Sequence, residues 1–116
     1  MKGMEKFINQ GLLFDFYGQL LTPHQQRIYQ EAVFDDFSIS EIAASEGITR
    51  QGVSDLIKRC DRSLQEYEEK LGLIQKFRKT KELILQIQGL SRKYRETGED
   101  NLVARIEEIA GEILDL

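Results

Sequence analysis

The 116-residue chain predicts an all-α protein: a helix-turn-helix with an N-terminal helix before it and a C-terminal helical hairpin extension after it. Three observations predict this. Apolar residues recur at three- and four-residue spacing along most of the chain, the period of a helix with one buried side. Thr22–Gln25 and Ser38–Glu41 have the spacing at which a hydroxyl and an amide or carboxylate satisfy the free N–H groups of a helix start. One proline, no tryptophan and few β-branched alternations leave little from which to build strands.

Residues 4–21 form the first predicted helix. Phe7, Ile8, Leu12, Leu13, Phe14, Phe16, Tyr17, Leu20 and Leu21 spread over most of its circumference, as in a helix buried on more than one side. It is expected to be clasped between the helix-turn-helix and the C-terminal helices, with a subunit contact as a further use of that surface. Gly11 and Gly18 lie on nearly one face and would admit a close neighbour. Residues 22–37 form the second helix. Thr22 caps it, and Pro23 takes the first helical position, where its missing N–H costs nothing. Ile28 and Ala32, with Tyr29 or Val33, supply its inward side. His24 is the only histidine and has no cysteine at ligand spacing, so it reads as a first-turn surface residue and not a metal ligand. Asp35 and Asp36 end the helix before Phe37.

Residues 38–62 hold the pattern around which the rest is arranged. Ser38 caps a short helix whose buried side is Ile39, Ile42 and Ala43. Gly47 stands where the chain must turn, a position that favours positive φ. Ile48 is placed to plug the gap between two helices, and Thr49 to cap the second. Val53, Leu56, Ile57, Cys60 and Leu64 then make one apolar stripe, continued by Tyr67 and Leu71 until Gly72 offers a stop. Small Ala43 and Gly52 suit a close helix crossing. With the stripe inward, Arg50, Gln51, Ser54, Asp55 and Lys58 face solvent near the helix start. That is where a recognition helix presents side chains to base edges. Arg59 and Arg62 can collect on the same side. The plainer alternative is a turned helix pair whose polar face is merely solvated.

Residues 73–94 form a further helix with Ile74, Phe77, Ile84, Ile87 and Leu90 inside. Gly89 weakens it by ~1 kcal/mol relative to alanine, so a bend or break is admissible there. Residues 97–100 make the last turn. In residues 101–116, Leu102, Ile106, Ile109, Ile113 and Leu116 alternate four- and three-residue steps, a coiled-coil-like seam. Leu83, Ile87, Leu90 and Tyr94 keep the same rhythm, so the two segments can pair as an antiparallel hairpin. The expected organisation is 1–71 for the N-terminal helices and helix-turn-helix, with 72–116 as an extension packing on the same domain. The seam and the over-apolar first helix together predict a homodimer.

Charge divides the chain. The net charge is −4, yet residues 72–98 hold seven basic side chains against two acidic ones, while residues 22–71 and the last segment are acidic. The basic run comprises Lys76, Arg78, Lys79 and Lys81, then Arg92, Lys93 and Arg95. It is either neutralised by the acidic last helix or open to an anionic partner. No apolar run of ~20 residues predicts a membrane span. A single cysteine and no evident signal peptide make the cytoplasm the expected compartment. There is no glycine-rich phosphate loop, catalytic triad or ligand cluster, so a binding protein is expected, without enzyme activity, metal or cofactor. Cys60 lies on the apolar stripe and reads as core.

The span from Leu21-Thr22-Pro23-His24-Gln25-Gln26-Arg27 through Leu64 resembles the helix-turn-helix of region four in sigma factors. The whole chain is similar to the YlxM family of small bacterial proteins. Phe14-Asp15-Phe16-Tyr17-Gly18, Phe37-Ser38-Ile39-Ser40-Glu41-Ile42-Ala43 and Arg50-Gln51-Gly52-Val53-Ser54-Asp55 carry that likeness. The resemblance implies a DNA-binding protein, encoded beside the signal recognition particle GTPases, with a regulatory or accessory part in that pathway. Two functions follow: a regulator binding duplex DNA, or an accessory protein contacting the particle's RNA or protein components.

Overall fold

The computed structural model describes residues 2–116, so only the first residue of the expected N-terminal segment lies outside it. Most of the described chain is helical. The elements are α1 (Lys2–Tyr17), α2 (Pro23–Tyr29), α3 (Ile39–Glu46), α4 (Arg50–Leu71), α5 (Leu73–Thr97) and α6 (Asp100–Leu114). None of these helices is long and apolar enough to cross a membrane. The chain divides into two compact units, one ending at Gly72 and the other running from Leu73 to Leu116.

In the first unit, local chemistry sets the helix ends. Thr22 and Ser38 each accept the N–H of the third helical residue, and Gln25 and Glu41 reach back to the cap N–H. Gly47 closes α3 at φ +69°, with its own N–H and that of Ile48 both donated to the Ala43 carbonyl. Gly72 ends α4 the same way at φ +61°. A side chain at either position would push the backbone out of a left-handed conformation that glycine adopts freely.

The core of this unit is Ile28, Ile42, Ala43 and Val53, with Ala32, Leu56 and Ile57 packed against it. The expected stripe on α4 is otherwise kept by Cys60 and Leu64, both fully buried. Burial pushes the Cys60 thiol up to about 11, consistent with a packing role. Four expected core positions lie outside it: Ile39, Ile48 and Leu71 are 39%, 38% and 55% exposed, and Leu20 is 54% exposed. Each sits at a helix end or in a turn.

Two regular helices were expected across residues 4–37, and both are interrupted. α1 tightens into a single 3₁₀ turn over Gly18–Leu20. α2 stops after Tyr29 and widens into a π-type turn over Gln30–Phe34, closed by Asp35 N–H donating to the Gln30 carbonyl. Such a turn holds more residues per revolution than an α-helix, which brings Phe34 round toward the side of Tyr29. There it meets three rings: Phe7 at 5.9 Å, Phe14 at 5.3 Å and Tyr29 at 6.1 Å between centroids. Asp36 then takes φ +58°, a conformation aspartate tolerates better than most residues.

α1 is not buried on several sides along its length. Met4, Phe7 and Ile8 remain 57%, 47% and 52% exposed, while Tyr17 at the other end is buried. Nor do its glycines admit a helix. A Cβ on Gly18 would strike the ring of Phe14 at 3.1 Å, and one on Gly11 would touch Phe34 at 3.9 Å.

In the second unit α5 and α6 fold back on each other through a turn at Gly98. Leu83, Leu102 and Ile109 are buried, and Ile87, Leu90, Ile106 and Ile113 are half-buried, so the seam on α6 is largely an inner face. Leu116, its expected last member, is 38% exposed. α5 runs through Gly89 without a break. Phe77 and Ile84, expected inside, are 49% and 45% exposed, and Leu83 occupies the inner position instead.

Candidate nucleic-acid interface

α4 starts at Thr49, whose hydroxyl accepts the Gly52 N–H at 2.9 Å. No helix crosses at Gly52: a Cβ on it would meet only the same hydroxyl, at 3.1 Å, and the Ile48 side chain, at 3.9 Å. The buried stripe then fixes which side of α4 is left. Advancing by helical periodicity, Arg50, Ser54, Lys58, Gln51, Arg62, Asp55 and Arg59 cover roughly the half of the circumference opposite Val53, Cys60 and Leu64. All are exposed except Ser54, which is half-buried. The first turn holds Arg50 and no acidic residue. Helix N-termini ordinarily favour carboxylates, so this end joins the positive pole of the helix dipole to a cation.

Three of these side chains have structured neighbours. Gln51 Nε2 donates to Asp55 Oδ1 at 3.0 Å, one turn along the same face. Asp55 and Arg59 line a shallow cleft of about 380 Å³ whose other wall is the start of α2, with Thr22, His24 and Gln25. The sequence placed His24 correctly at the surface but gave no sign that it would stand beside the candidate face. α2 is held there by a fork: Arg27 donates from Nε and Nη2 to the two carboxylate oxygens of Glu46 at 3.0 and 2.9 Å. His24 Nε2 lies 3.4 Å from the same carboxylate. The hydrogen bond from Arg27 holds the Glu46 carboxyl below its usual range, and Glu46 in turn raises the guanidinium.

Behind the face, Asp61 and Glu68 tie α4 to the N-terminal helices. Asp61 accepts from the Tyr29 hydroxyl at 2.5 Å and from Gln10 Nε2 at 3.1 Å, and Glu68 accepts from the Tyr17 hydroxyl. Burial, then the bond to Asp61, pushes the Tyr29 phenol well above its ordinary value. Sequence spacing missed both carboxylates. They look like the solvated acids around them, and nothing local marks the tyrosines as their partners.

The basic run lies on α5, in the other unit. Lys76, Arg78, Lys79 and Lys81 are all exposed. Among the described residues, no ion pair joins these four to the acidic α6, whose own pair is Arg105–Glu108 at 3.0 Å.

Known proteins share this arrangement of sequence. A UPF0122 protein of Geobacillus sp. (strain WCH70) is 40% identical over 111 residues, covering 91% of this chain and 98% of its own length. One from Thermoanaerobacter sp. (strain X514) is 39% identical over 113 residues, covering 97% of each chain. One from Listeria monocytogenes is 42% identical over 85 residues, or 73% of this chain and 77% of its own. The family model described as "Putative helix-turn-helix protein, YlxM / p13 like" matches residues 4–103, which takes in all of α2 to α5. The chain belongs to that family, UPF0122.

Proposed function

We propose that this protein binds duplex DNA through the N-terminal half of α4 and acts as a regulator, in the cytoplasm, for genes or components of the signal recognition particle pathway. The observation that carries the DNA reading is the exposed half-cylinder from Arg50 to Arg62, backed by a rigid core and opened by a positively charged helix start. Arg50 and Gln51 stand nearest the helix start and would reach base edges. Lys58, Arg59 and Arg62 would contact phosphates. No catalytic step is assigned to any residue.

Selection of preferred sites from random duplexes, followed by titration in varied salt, tests this. Arg50→Ala and Gln51→Ala should each weaken the preferred site by ~1–3 kcal/mol and relax its sequence preference. Lys58→Ala should weaken all sequences alike and lower the salt slope by about one. Unchanged affinity in all three variants refutes the reading.

The second reading, an accessory protein for the particle's RNA or proteins, is favoured by the exposed Lys76, Arg78, Lys79 and Lys81. A Debye length of ~8 Å limits how far acidic groups elsewhere can screen them. Replacing all four with glutamine should abolish particle or RNA binding and leave DNA binding by Arg50 intact. If particle binding survives that change while Arg50→Ala destroys DNA binding, the accessory reading fails. We assign the exposed Met4, Phe7 and Ile8 to a homodimer contact. A monomeric mass by light scattering across micromolar concentrations removes it.

A further inference from the structure

An acidic residue is out of place on a surface that binds phosphates. Asp55 stands among Arg50, Lys58, Arg59 and Arg62, and its charge opposes every phosphate contact they would make. A face built only for sequence-independent affinity would do better without it. Among the described residues, the one hydrogen bond of its carboxylate is the acceptor role to Gln51 Nε2 at 3.0 Å.

That bond leaves a specific set of groups free. A glutamine amide has two N–H donors and an acceptor oxygen. With the N–H that points away from Oε1 given to Asp55, the second N–H and Oε1 remain side by side; that is the rotamer the proposal requires. Adenine offers the complement in the major groove, N7 as acceptor and N6–H₂ as donor, whereas guanine offers two acceptors. An untethered glutamine loses considerable rotamer freedom on binding, and a tether formed beforehand removes part of that cost.

We propose that Asp55 is a positioning residue which holds the Gln51 amide ready for one adenine, so that the pair sets the preference at a single base pair. This rests on the reading of α4 as a recognition helix. Asp55 itself touches no base. Its charge lowers affinity for duplexes in general, and its tether to Gln51 raises discrimination, so both effects favour specificity over bulk affinity.

The test compares the full-length protein with Gln51→Ala, Asp55→Ala, Asp55→Asn and the double alanine variant. Each is titrated on the selected duplex and on versions changed at one base pair. Gln51→Ala should lose on the order of tenfold discrimination at one A·T pair. Asp55→Ala should lose discrimination at the same pair, and the double variant should lose no more than Gln51→Ala. Asp55→Asn keeps an acceptor oxygen and should keep most of the preference while binding all duplexes more tightly. Both residues are exposed, and an unchanged melting temperature verifies that the variants fold.

If Asp55→Ala raises affinity for every duplex and alters no preference, Asp55 is only a charge and the inference is overturned. It is equally overturned if the parent binds duplexes without preference, although DNA binding by α4 then stands. If the parent binds no duplex at all, both fall together.

Discussion

The two units bury themselves by different means. The unit ending at Gly72 wraps its helices round a core of fully buried Ile28, Tyr29, Ile42, Val53, Cys60 and Leu64, and ties α1 and α2 to α4 through Asp61 and Glu68. The unit from Leu73 is two helices thick, with Leu83, Leu102 and Ile109 on the side where they meet. Its outer side keeps Leu73, Ile84 and Leu85 between 44% and 57% exposed, among a run of cations. Side chains that must read a base need depth behind them to hold a helix at a set angle. A surface that attracts an anion by charge alone does not, because electrostatic attraction tolerates loose placement.

Truncating a core residue in each unit gives the largest expected effects and could break this contrast. Ile28→Ala removes a side chain that no water reaches and around which α2, α3 and α4 close. It should cost ~3–5 kcal/mol, the upper part of the range for such changes, because a core closed on several sides cannot collapse onto the gap. Ile109→Ala in the hairpin should cost nearer ~2 kcal/mol, since two helices can settle toward each other. Urea midpoints measure both. An equal or larger loss at Ile109 would mean that the hairpin core is as tightly held as the other.

Alkaline pH should act chiefly on the first unit. The Cys60 thiol is raised from 9.0 to about 11. Tyr29 is raised above its ordinary 10.0. In both cases the unfolded chain releases its proton first, so the stability is complete below the unfolded value and drains away above it. For Cys60 the loss runs from pH 9 to about 11. For Tyr29 it begins near pH 10. Urea midpoints at successive pH values should fall over this window, and Cys60→Ala should flatten the first part of the fall. A parent midpoint constant to pH 11 is the opposing result.

A single hydroxyl gives a smaller effect. Tyr29→Phe keeps the ring stacked on Phe14, 5.5 Å between centroids, and removes only the bond to Asp61. Asp61 retains its bond from Gln10. The expected cost is ~1–2 kcal/mol. If Tyr29→Phe is neutral, the polar ties behind α4 are incidental to its placement.

Much of the fold is legible in the sequence, for a physical reason. The capping boxes at Thr22 and Ser38 and the turns at Gly47 and Gly72 are local, decided by residues within four positions of one another. The half of α4 that faces outward follows from one clean apolar stripe. What escaped depends on the partner across the gap. α1 and α5 have too many apolar residues for a stripe to choose a side, so Phe7, Phe77 and Ile84, expected inside, lie substantially exposed. The π-type turn at Gln30–Phe34 exists to bring Phe34 to an aromatic cluster drawn partly from α1, which no window on α2 contains. Gln51 and Asp55 were both picked out for exposure. Only the structure shows them joined, because an i, i+4 pair can also point apart.

The smallest effect separates two kinds of glycine and sharpens the contrast between the units. Gly89 lies within α5, and a Cβ added there would meet nothing within 4 Å. Its backbone is helical, so alanine would fit without strain. Gly89→Ala should therefore stabilise the protein by ~0.5–1 kcal/mol, because the unfolded chain loses freedom that glycine alone has. Gly47 also has open space around its Cβ position, yet it sits at φ +69°. Gly47→Ala should cost ~1–2 kcal/mol for the left-handed backbone. Space is thus the same at the two sites, and conformation alone reverses the sign. Because Gly89 belongs to the hairpin and Gly47 to the helix-turn-helix, thermal unfolding of the pair also reports which unit limits stability. A gain from Gly89→Ala in the overall midpoint would mean that the hairpin melts with or before the rest. A shift confined to a separate, later transition would mean that the unit bearing α4 fails first.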